Sequence, residues 1–93
     1  MIRNAIKLSP KDNVASALVA LTKGQIAYIQ YHSSPIEQVA LVDDVPFGFK
    51  IAVRNISSGE EILKYGMVMG VATRDIKCGE MIHVHNVQGA RAH

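Results

Sequence analysis

Two histidines separated by one residue stand close to the end of the sequence, in the stretch GEMIHVHNV at residues 79–87. Side chains alternate between the two faces of a strand, so a strand here would put His83 and His85 on one face and turn Val84 into the core. Histidine titrates near neutral pH and is a common metal ligand. The pair therefore predicts a site that holds a metal ion, binds an anion or moves a proton. The alternative is an ordinary half-exposed strand edge.

Other polar side chains could contribute to binding. Lys50, Lys64 and Arg74 could contact an anion, and Tyr65 and Asn86 could form hydrogen bonds to a ligand. Simpler explanations exist for most of them. Lys64 and Arg74 are also typical of solvated surface, and Tyr65 is typical of a packed turn. Asn86 could instead cap the last strand through its own backbone.

Short runs rich in valine and isoleucine, bounded by turn-forming residues, predict an all-β protein. The candidate strands are NVASALVAL, QIAYIQY, EQVALV, KIAVRNI, GVATRDI and MIHVHNV. Long helical periodicity is missing, and EEILKYG could supply at most one turn or a short helix. We therefore expect short, mixed strands with at most one or two short helical turns.

A local pattern recurs in ALTKGQIAYI, NISSGEEILKYG and DIKCGEMIHVHN. In each copy, an apolar residue, two mostly polar residues and a glycine precede an acid or amide and then a further apolar residue. Gly24, Gly59 and Gly79 would supply the positive φ of a tight turn that leads the chain into its next strand. The pattern predicts a compact, folded-over set of small sheets.

Composition narrows the class of protein. The chain has 93 residues, 48% hydrophobic and 19% charged, which predicts one globular domain over residues 1–93. The net charge is only +2 and the basic residues are scattered, so nucleic-acid binding is not expected.

No apolar run approaches the ~20 residues that cross a bilayer, and the first residues lack the apolar centre of a secretion signal. The single cysteine, Cys78, fits a turn residue in a reducing compartment better than a nucleophile. We expect a cytoplasmic protein without membrane contact.

Four motifs in order, VPFGFKIA, GEEILKYG, MGVATRDIKCGE and HVHNV, resemble the small subunit or N-terminal domain of the altronate and galactarate dehydratase family. The resemblance runs from DNVASALVAL to HVHNV, which is nearly the whole chain. It implies a compact β-clip fold of the SAF group. It also implies a much larger dehydratase partner, either fused to this domain or separate from it, while self-association of the chain stays open.

The activity that the resemblance implies is that of a metal-dependent lyase acting on sugar acids. Water leaves a 2,3-dihydroxy acid such as altronate or galactarate, and a 2-keto-3-deoxy acid results; a related branch removes sulfite from sulfolactate. The proton next to the carboxylate must be abstracted, the ene-diolate needs positive charge or a metal, and the leaving group needs an acid. His83, His85 and Lys50 are the candidate catalytic residues for these demands, and the two histidines could either exchange protons or hold the divalent metal that the resemblance implies, iron(II) or manganese. The implied substrate contacts are Lys64, Tyr65, Arg74 and Asn86.

One departure from the family bears on the enzyme interpretation. Relatives generally read G-H-K where this sequence reads GFK, so Phe49 stands at the position of a family histidine, although Lys50 is retained. A phenyl ring neither binds a metal nor moves a proton. The chain could use another substrate, borrow a group such as His32, or be a binding module that holds a sugar acid or organises a partner without chemistry. Alone it should show little or no turnover, because so small a domain hardly surrounds a sugar acid.

Overall fold

The computed structural model describes residues 3–89, and this part of the chain forms nine short β-strands without a helix. The strands are β1 Ala5–Ile6, β2 Val14–Ala17, β3 Ile26–Gln30, β4 Glu37–Ala40, β5 Lys50–Ala52, β6 Glu61–Lys64, β7 Met67–Ala72, β8 Met81–Ile82 and β9 Val87–Gly89. The all-β prediction is therefore confirmed. Residues 3–89 also contain no helix that is long and apolar enough to span a membrane.

The strands form two sheets. A six-stranded sheet has the order β4-β3-β1-β2-β5-β8, and a three-stranded sheet has the order β6-β7-β9. Neighbouring strands are antiparallel, apart from the parallel pair β1 and β3. In the small sheet, Ile62 lies opposite Gly70 while Leu63 lies opposite Val68. Met69 is thus an extra residue in β7, a β-bulge without a partner of its own in β6.

Hydrophobic cores cover both faces of the large sheet. The first core includes Ala15 and Ile51. The second core includes Val14 and Ala52 of the large sheet and Ile62 of the small sheet, so it joins the two sheets. Because side chains alternate along a strand, Val14 enters the second core while Ala15 and Ala17 enter the first, and all four residues of β2 are buried.

Four turns of one design lead into strands β3, β5, β6 and β8. In each, an apolar residue in a β-bridge is followed three residues later by a glycine with positive φ, and the strand starts two residues after that glycine. The bridges join Leu21 to Val45 and Ile56 to Ile76, which ties the turns together two by two. The turn glycines are Gly24, Gly48, Gly59 and Gly79.

The three predicted glycine turns are confirmed, and the turn at Gly48 is a fourth that the sequence pattern did not reveal. The pattern failed there because Pro46 and Phe47 occupy the two places that are mostly polar in the other turns.

The residue after the glycine closes three of these turns. Gln25, Glu60 and Glu80 each accept a hydrogen bond from the backbone N–H three residues earlier. Phe49 holds this place in the fourth turn, but Pro46, three residues earlier, has no N–H to satisfy. Position 49 is thereby released from capping, and its side chain is free for another role.

EEILKYG, which could supply at most one helical turn, supplies none, because Glu61–Lys64 pairs with β7 as a strand and buries Ile62 in the second core. One prediction about local structure is wrong. MIHVHNV does not form one strand, because β8 ends at Ile82, β9 starts at Val87, and a bend and turn occupy residues 83–86. Val84 therefore does not enter the core and is 80% exposed.

Candidate functional site

An open cavity of about 190 Å³ lies where the second core reaches the surface. Ile62, Ile82 and Val87 extend that core into the cavity wall. A second cavity of about 160 Å³ shares Lys50, Ile82 and His83 with the first. The two cavities therefore meet at Lys50 and His83, which bring a cation and an imidazole to an otherwise apolar wall.

Strand pairing explains why Lys50 and His83 come together. Lys50 lies opposite Ile82 where β5 pairs with β8, so the next residues outward, Phe49 and His83, also face each other. Their ring centroids lie 4.9 Å apart with the planes inclined by 44°. The proline in the preceding turn releases Phe49 from capping, and its ring instead forms part of the wall of the second cavity.

Lys50 has an unusual electrostatic environment. Burial lowers the pKa of Lys50 below its ordinary value of 10.5, and the nearby charge of Lys64 lowers it further. Two ammonium groups that repel each other favour binding of an anion close to both, because the anion relieves the repulsion. A carboxylate fits this requirement.

The turn that carries Lys64 is held in an uncommon conformation. Tyr65 has φ of 58°, a left-handed value that is rare for residues other than glycine, asparagine and aspartate. Asp12, which is 2% exposed, accepts hydrogen bonds from the N–H groups of Tyr65 and Gly66, each at 2.8 Å. The Lys64 ammonium nitrogen lies 4.8 Å from the centroid of the Tyr65 ring, within reach of a cation–π contact. Asp12 and the tyrosine ring thus help to position Lys64.

Sequence reasoning missed several residues that support the site. Asn13 is fully buried, and its amide bonds the backbone of Glu61 and Leu63, which fastens β6 to β2. Ser16 lies opposite Lys50, and its buried hydroxyl has no hydrogen-bond partner within residues 3–89. The pairs DN and AS carry no distinctive signal in the sequence, because their roles depend on strands far away along the chain.

The HVHN segment is a turn closed by an asparagine side chain. Asn86 is fully buried; its Oδ1 accepts a hydrogen bond from the N–H of His83, and its Nδ2 donates one to the carbonyl of Met81. This arrangement favours the simpler explanation of Asn86, a cap for its own backbone, over a substrate contact. His83 and His85 are both exposed, and only His83 lines the cavities.

The remaining candidates lie away from the cavities. Arg74 forms an ion pair with Glu80 at 3.9 Å and lines neither cavity. His32 is an exposed turn residue packed edge-on against Tyr31, with ring centroids 4.5 Å apart, and it also lines neither cavity. The structure therefore unites Lys50, with Lys64 nearby, and His83, and leaves Arg74 and His32 apart.

Residues 3–89 do not by themselves fit a complete metal site. Residues 3–89 contain no group of three or more histidine, cysteine, aspartate or glutamate side chains arranged to hold a metal ion. His83 and His85 would supply two ligands at most, whereas zinc takes about four ligands and harder divalent cations about six. No step of the chemistry below depends on a metal.

Comparison with known proteins identifies related chains. Residues 3–90 match the family model described as altronate/galactarate dehydratase SAF domain. Altronate dehydratase of Bacillus subtilis is 37% identical over 87 residues, and that of Escherichia coli is 36% identical over 83 residues. These matches cover 94% and 89% of the present chain but only 16% of each relative.

A further relative, (2R)-sulfolactate sulfo-lyase subunit alpha of Chromohalobacter salexigens, is 37% identical over 54 residues. This match covers 58% of the present chain and 57% of the relative. The chain is therefore similar both to a small part of a long protein and to a large part of a separate subunit.

Proposed function

Because the chain belongs to the family of altronate/galactarate dehydratase SAF domains, we propose that it is the small subunit of a sugar-acid dehydratase and works with a separate large chain. Relatives that contain this domain as 16% of their length support a large partner. The similarity to a sulfo-lyase subunit alpha supports a small component made as its own chain. The proposed reaction removes water from altronate, galactarate or a related 2,3-dihydroxy acid.

The observation that carries this proposal is the meeting of Lys50 and His83 at the open cavities, with Lys64 near enough for its charge to lower the pKa of Lys50. In the proposed complex, the two ammonium groups bind the substrate carboxylate, which relieves their mutual repulsion. They also stabilise the negative charge that the carboxylate gains as the neighbouring C–H bond loses its proton.

His83 exchanges a proton with the substrate in this proposal. Imidazole titrates near neutral pH, so it can take the carbon-bound proton or give one to the departing hydroxyl group. Asn86 holds the turn on which His83 stands, through the hydrogen bond to the His83 N–H. His85 and Tyr65 have weaker claims, since neither lines the cavities.

A divalent metal, iron(II) or manganese, belongs to the proposal only as a group bound jointly with the large chain. Of the two histidines only His83 lines the cavities, so it would supply the ligand from this side, and the large chain would have to supply the others, because residues 3–89 hold no complete ligand group. When bound, such a metal would stabilise negative charge on the reacting oxygens.

A second candidate is the small subunit of a sulfo-lyase, which would release sulfite in place of water. The match to sulfolactate sulfo-lyase subunit alpha favours it. A third candidate is a module that binds the sugar acid or organises the partner without chemistry. Phe49 favours it, because a phenyl ring has replaced a family histidine beside His83.

Reconstitution tests the proposal. The chain and a dehydratase-type large chain from the same genome are purified separately, then assayed alone and mixed. The assays follow 2-keto-3-deoxy acid formed from altronate and galactarate, and sulfite released from sulfolactate. We expect dehydration by the mixture and little or none by the small chain. Turnover by the small chain alone, or a complex inactive on both sugar acids, would contradict the proposal, and sulfite release would establish the second candidate.

Alanine variants of the two histidines form a matched pair that tests the role of His83 in the site. His83→Ala should lower kcat/KM of the mixture by about a hundredfold, the scale of a general acid or base. His85→Ala removes an exposed imidazole from the same turn and should lower it by less than about tenfold. Equal losses in both variants would show that the turn, rather than His83, is what the reaction requires.

A further inference from the structure

Large apolar side chains are exposed around the Lys50 cavity. The three most exposed within residues 3–89 are Val84 at 80%, Phe47 at 69% and Met67 at 66%. Val84 lines the cavity, Phe47 precedes a glycine that lines the adjoining cavity, and Met67 lies opposite Lys64 where β6 pairs with β7. Met69, the bulge residue, is exposed and lines the same cavity. We call these four residues the apolar rim.

We propose that the apolar rim is the docking surface for the large dehydratase-type chain, which closes the cavity over Lys50 and His83. This inference rests on the proposed function for the identity of the partner. It adds where the interface lies. It also implies that the closed site is formed by both chains together.

The rim has the composition of a protein interface. Interface centres are enriched in aromatic residues and methionine, and a methionine side chain adapts to the shape of its partner. Burying exposed apolar area is favourable in water, so covering the rim favours association.

The turn around Phe47 is stiff. Pro46 fixes its own φ, and the Gly48 N–H donates to the carbonyl of Ala17 at 2.9 Å. Phe47 can therefore act as an anchor that loses little conformational freedom when it is buried.

The relatives indicate which molecule covers the rim. In the altronate dehydratases, the matched segment is 16% of the chain, so 100 − 16 = 84% of each relative lies outside it. A second copy of the present chain suits the rim less well. A symmetric pair through this surface would bring Lys50 and Lys64 of one copy close to the same two cations of the other.

Closure of the cavity also serves the chemistry. The cavity is open to solvent, and water weakens the attraction between an ammonium group and a carboxylate. A partner seated on the rim would exclude that water and strengthen the attraction.

Site-specific photo-crosslinking in the native cell tests the docking surface. A photoreactive phenylalanine replaces Met67 or Val84 in the full chain, one position in each variant. The matched control position is Val19, which is 51% exposed and lies in a bend that lines neither cavity. Mass spectrometry identifies the crosslinked chain. We expect a chain similar to the part of altronate dehydratase outside the matched segment, captured from Met67 and Val84 and not from Val19.

The possible outcomes test the docking surface and the identity of the partner separately. Capture of the dehydratase-type chain from Val19 but not from the rim would overturn the docking surface and leave the proposed function standing. Capture of a second copy of this chain from the rim, or of an unrelated protein, would overturn the docking proposal. Failure to capture a dehydratase-type chain from any position would count against both proposals.

Affinity gives an independent measurement with the purified pair. Val84→Asp puts a charge into the rim without touching the core and should weaken binding of the large chain by about tenfold or more. Val19→Asp should leave the affinity within about twofold. Equal effects, or no effect of Val84→Asp, would contradict the docking surface.

Discussion

The rings of Phe49 and His83 pack against each other with their centroids 4.9 Å apart. The register of β5 and β8 makes them neighbours, and Pro46 removes the N–H that the residue at position 49 would otherwise have to cap. The sequence resemblance implies histidine at position 49 in the family, and the same register would bring two imidazoles together in such a chain. In this protein Phe49 holds one of the two places, so the pair lacks its second proton-exchanging group.

Phe49→His should restore that group. The second imidazole would stand next to His83, where it can exchange a proton or share a ligand, and we expect activity of the reconstituted pair on altronate or galactarate to rise by about tenfold or more. Val19→His is the control, because it adds an imidazole at an exposed position that lines neither cavity and lies outside the apolar rim. A similar rise in both variants, or in neither, would show that the neighbour of His83 does not limit the reaction.

Lys50→Met should stabilise the fold and weaken the proposed function. Burial lowers the pKa of Lys50, so in the folded state the charged form is disfavoured relative to the unfolded chain. Unfolding therefore takes up protons between the lowered pKa and the ordinary value of 10.5, and in that window the stability of the wild type rises with pH. The advantage of Lys50→Met should be full at neutral pH and shrink as pH rises through the window.

Thermal unfolding at several pH values checks this dependence. Lys77→Met, at an exposed turn lysine, is the control and should show no such trend. In the reconstituted pair, loss of the charged hydrogen bond from Lys50 should lower kcat/KM by roughly 10- to 100-fold. A Lys50→Met protein that is less stable than the wild type at neutral pH would show that burying the Lys50 ammonium group does not destabilise the fold.

Asp12→Asn should destabilise the protein by about 2 to 3 kcal/mol, because the buried carboxylate accepts hydrogen bonds from both Tyr65 and Gly66 and an amide has only one accepting oxygen. Asp75→Asn is the matched control. Asp75 accepts one bond from Ser58 at an exposed turn, so its loss should cost less than about 1 kcal/mol. Urea unfolding measures both values, and equal costs would mean that burial of Asp12 does not matter.

Much of the fold could be predicted from sequence because its signals are local. The valine and isoleucine runs predicted the positions of most strands. The turns at Gly24 and Gly59 could be predicted from the glycine residues alone. The β-clip fold expected from the resemblance agrees with the matched SAF-domain family and with the strands of the structure. The short strand β1 was not predicted, because two residues carry too little pattern.

The candidate site was harder to predict because it depends on register and on distant hydrogen bonds. Alternation along HVHN suggested a strand, but the buried amide of Asn86 closes that segment into a turn, and of the two histidines only His83 lines the cavities. No local pattern shows that Lys50 lies opposite Ile82, or that Asp12 holds the turn beyond Lys64.

The turn glycines look alike in sequence and differ in the structure. Gly59→Ala places a Cβ in open space and should cost only the strain of a positive φ, about 1 to 2 kcal/mol. At Gly79, with φ of 95°, the new Cβ would overlap the carbonyl oxygen of Ala40. Gly79→Ala should therefore destabilise the protein by at least about 1 kcal/mol more than Gly59→Ala does. Denaturant unfolding of the two variants makes the comparison, and a Gly59→Ala variant as unstable as Gly79→Ala would refute the packing difference.

Asn86→Ala should destabilise the protein by about 3 kcal/mol. The substitution leaves the His83 N–H and the Met81 carbonyl without their side-chain partner at a position that is fully buried. Val84→Ala, two residues earlier, should change stability by less than about 0.5 kcal/mol, because that side chain is exposed and contributes little to the core.

Asn86→Asp separates the two hydrogen bonds of this side chain. Aspartate keeps the oxygen that accepts from the His83 N–H, but it replaces the donor to the Met81 carbonyl with a second oxygen, so it should also destabilise the protein. Urea unfolding of the three variants ranks the costs. If Val84→Ala were the costly change and Asn86→Ala the mild one, residues 83–86 would form a strand after all, and His83 and His85 would share one of its faces.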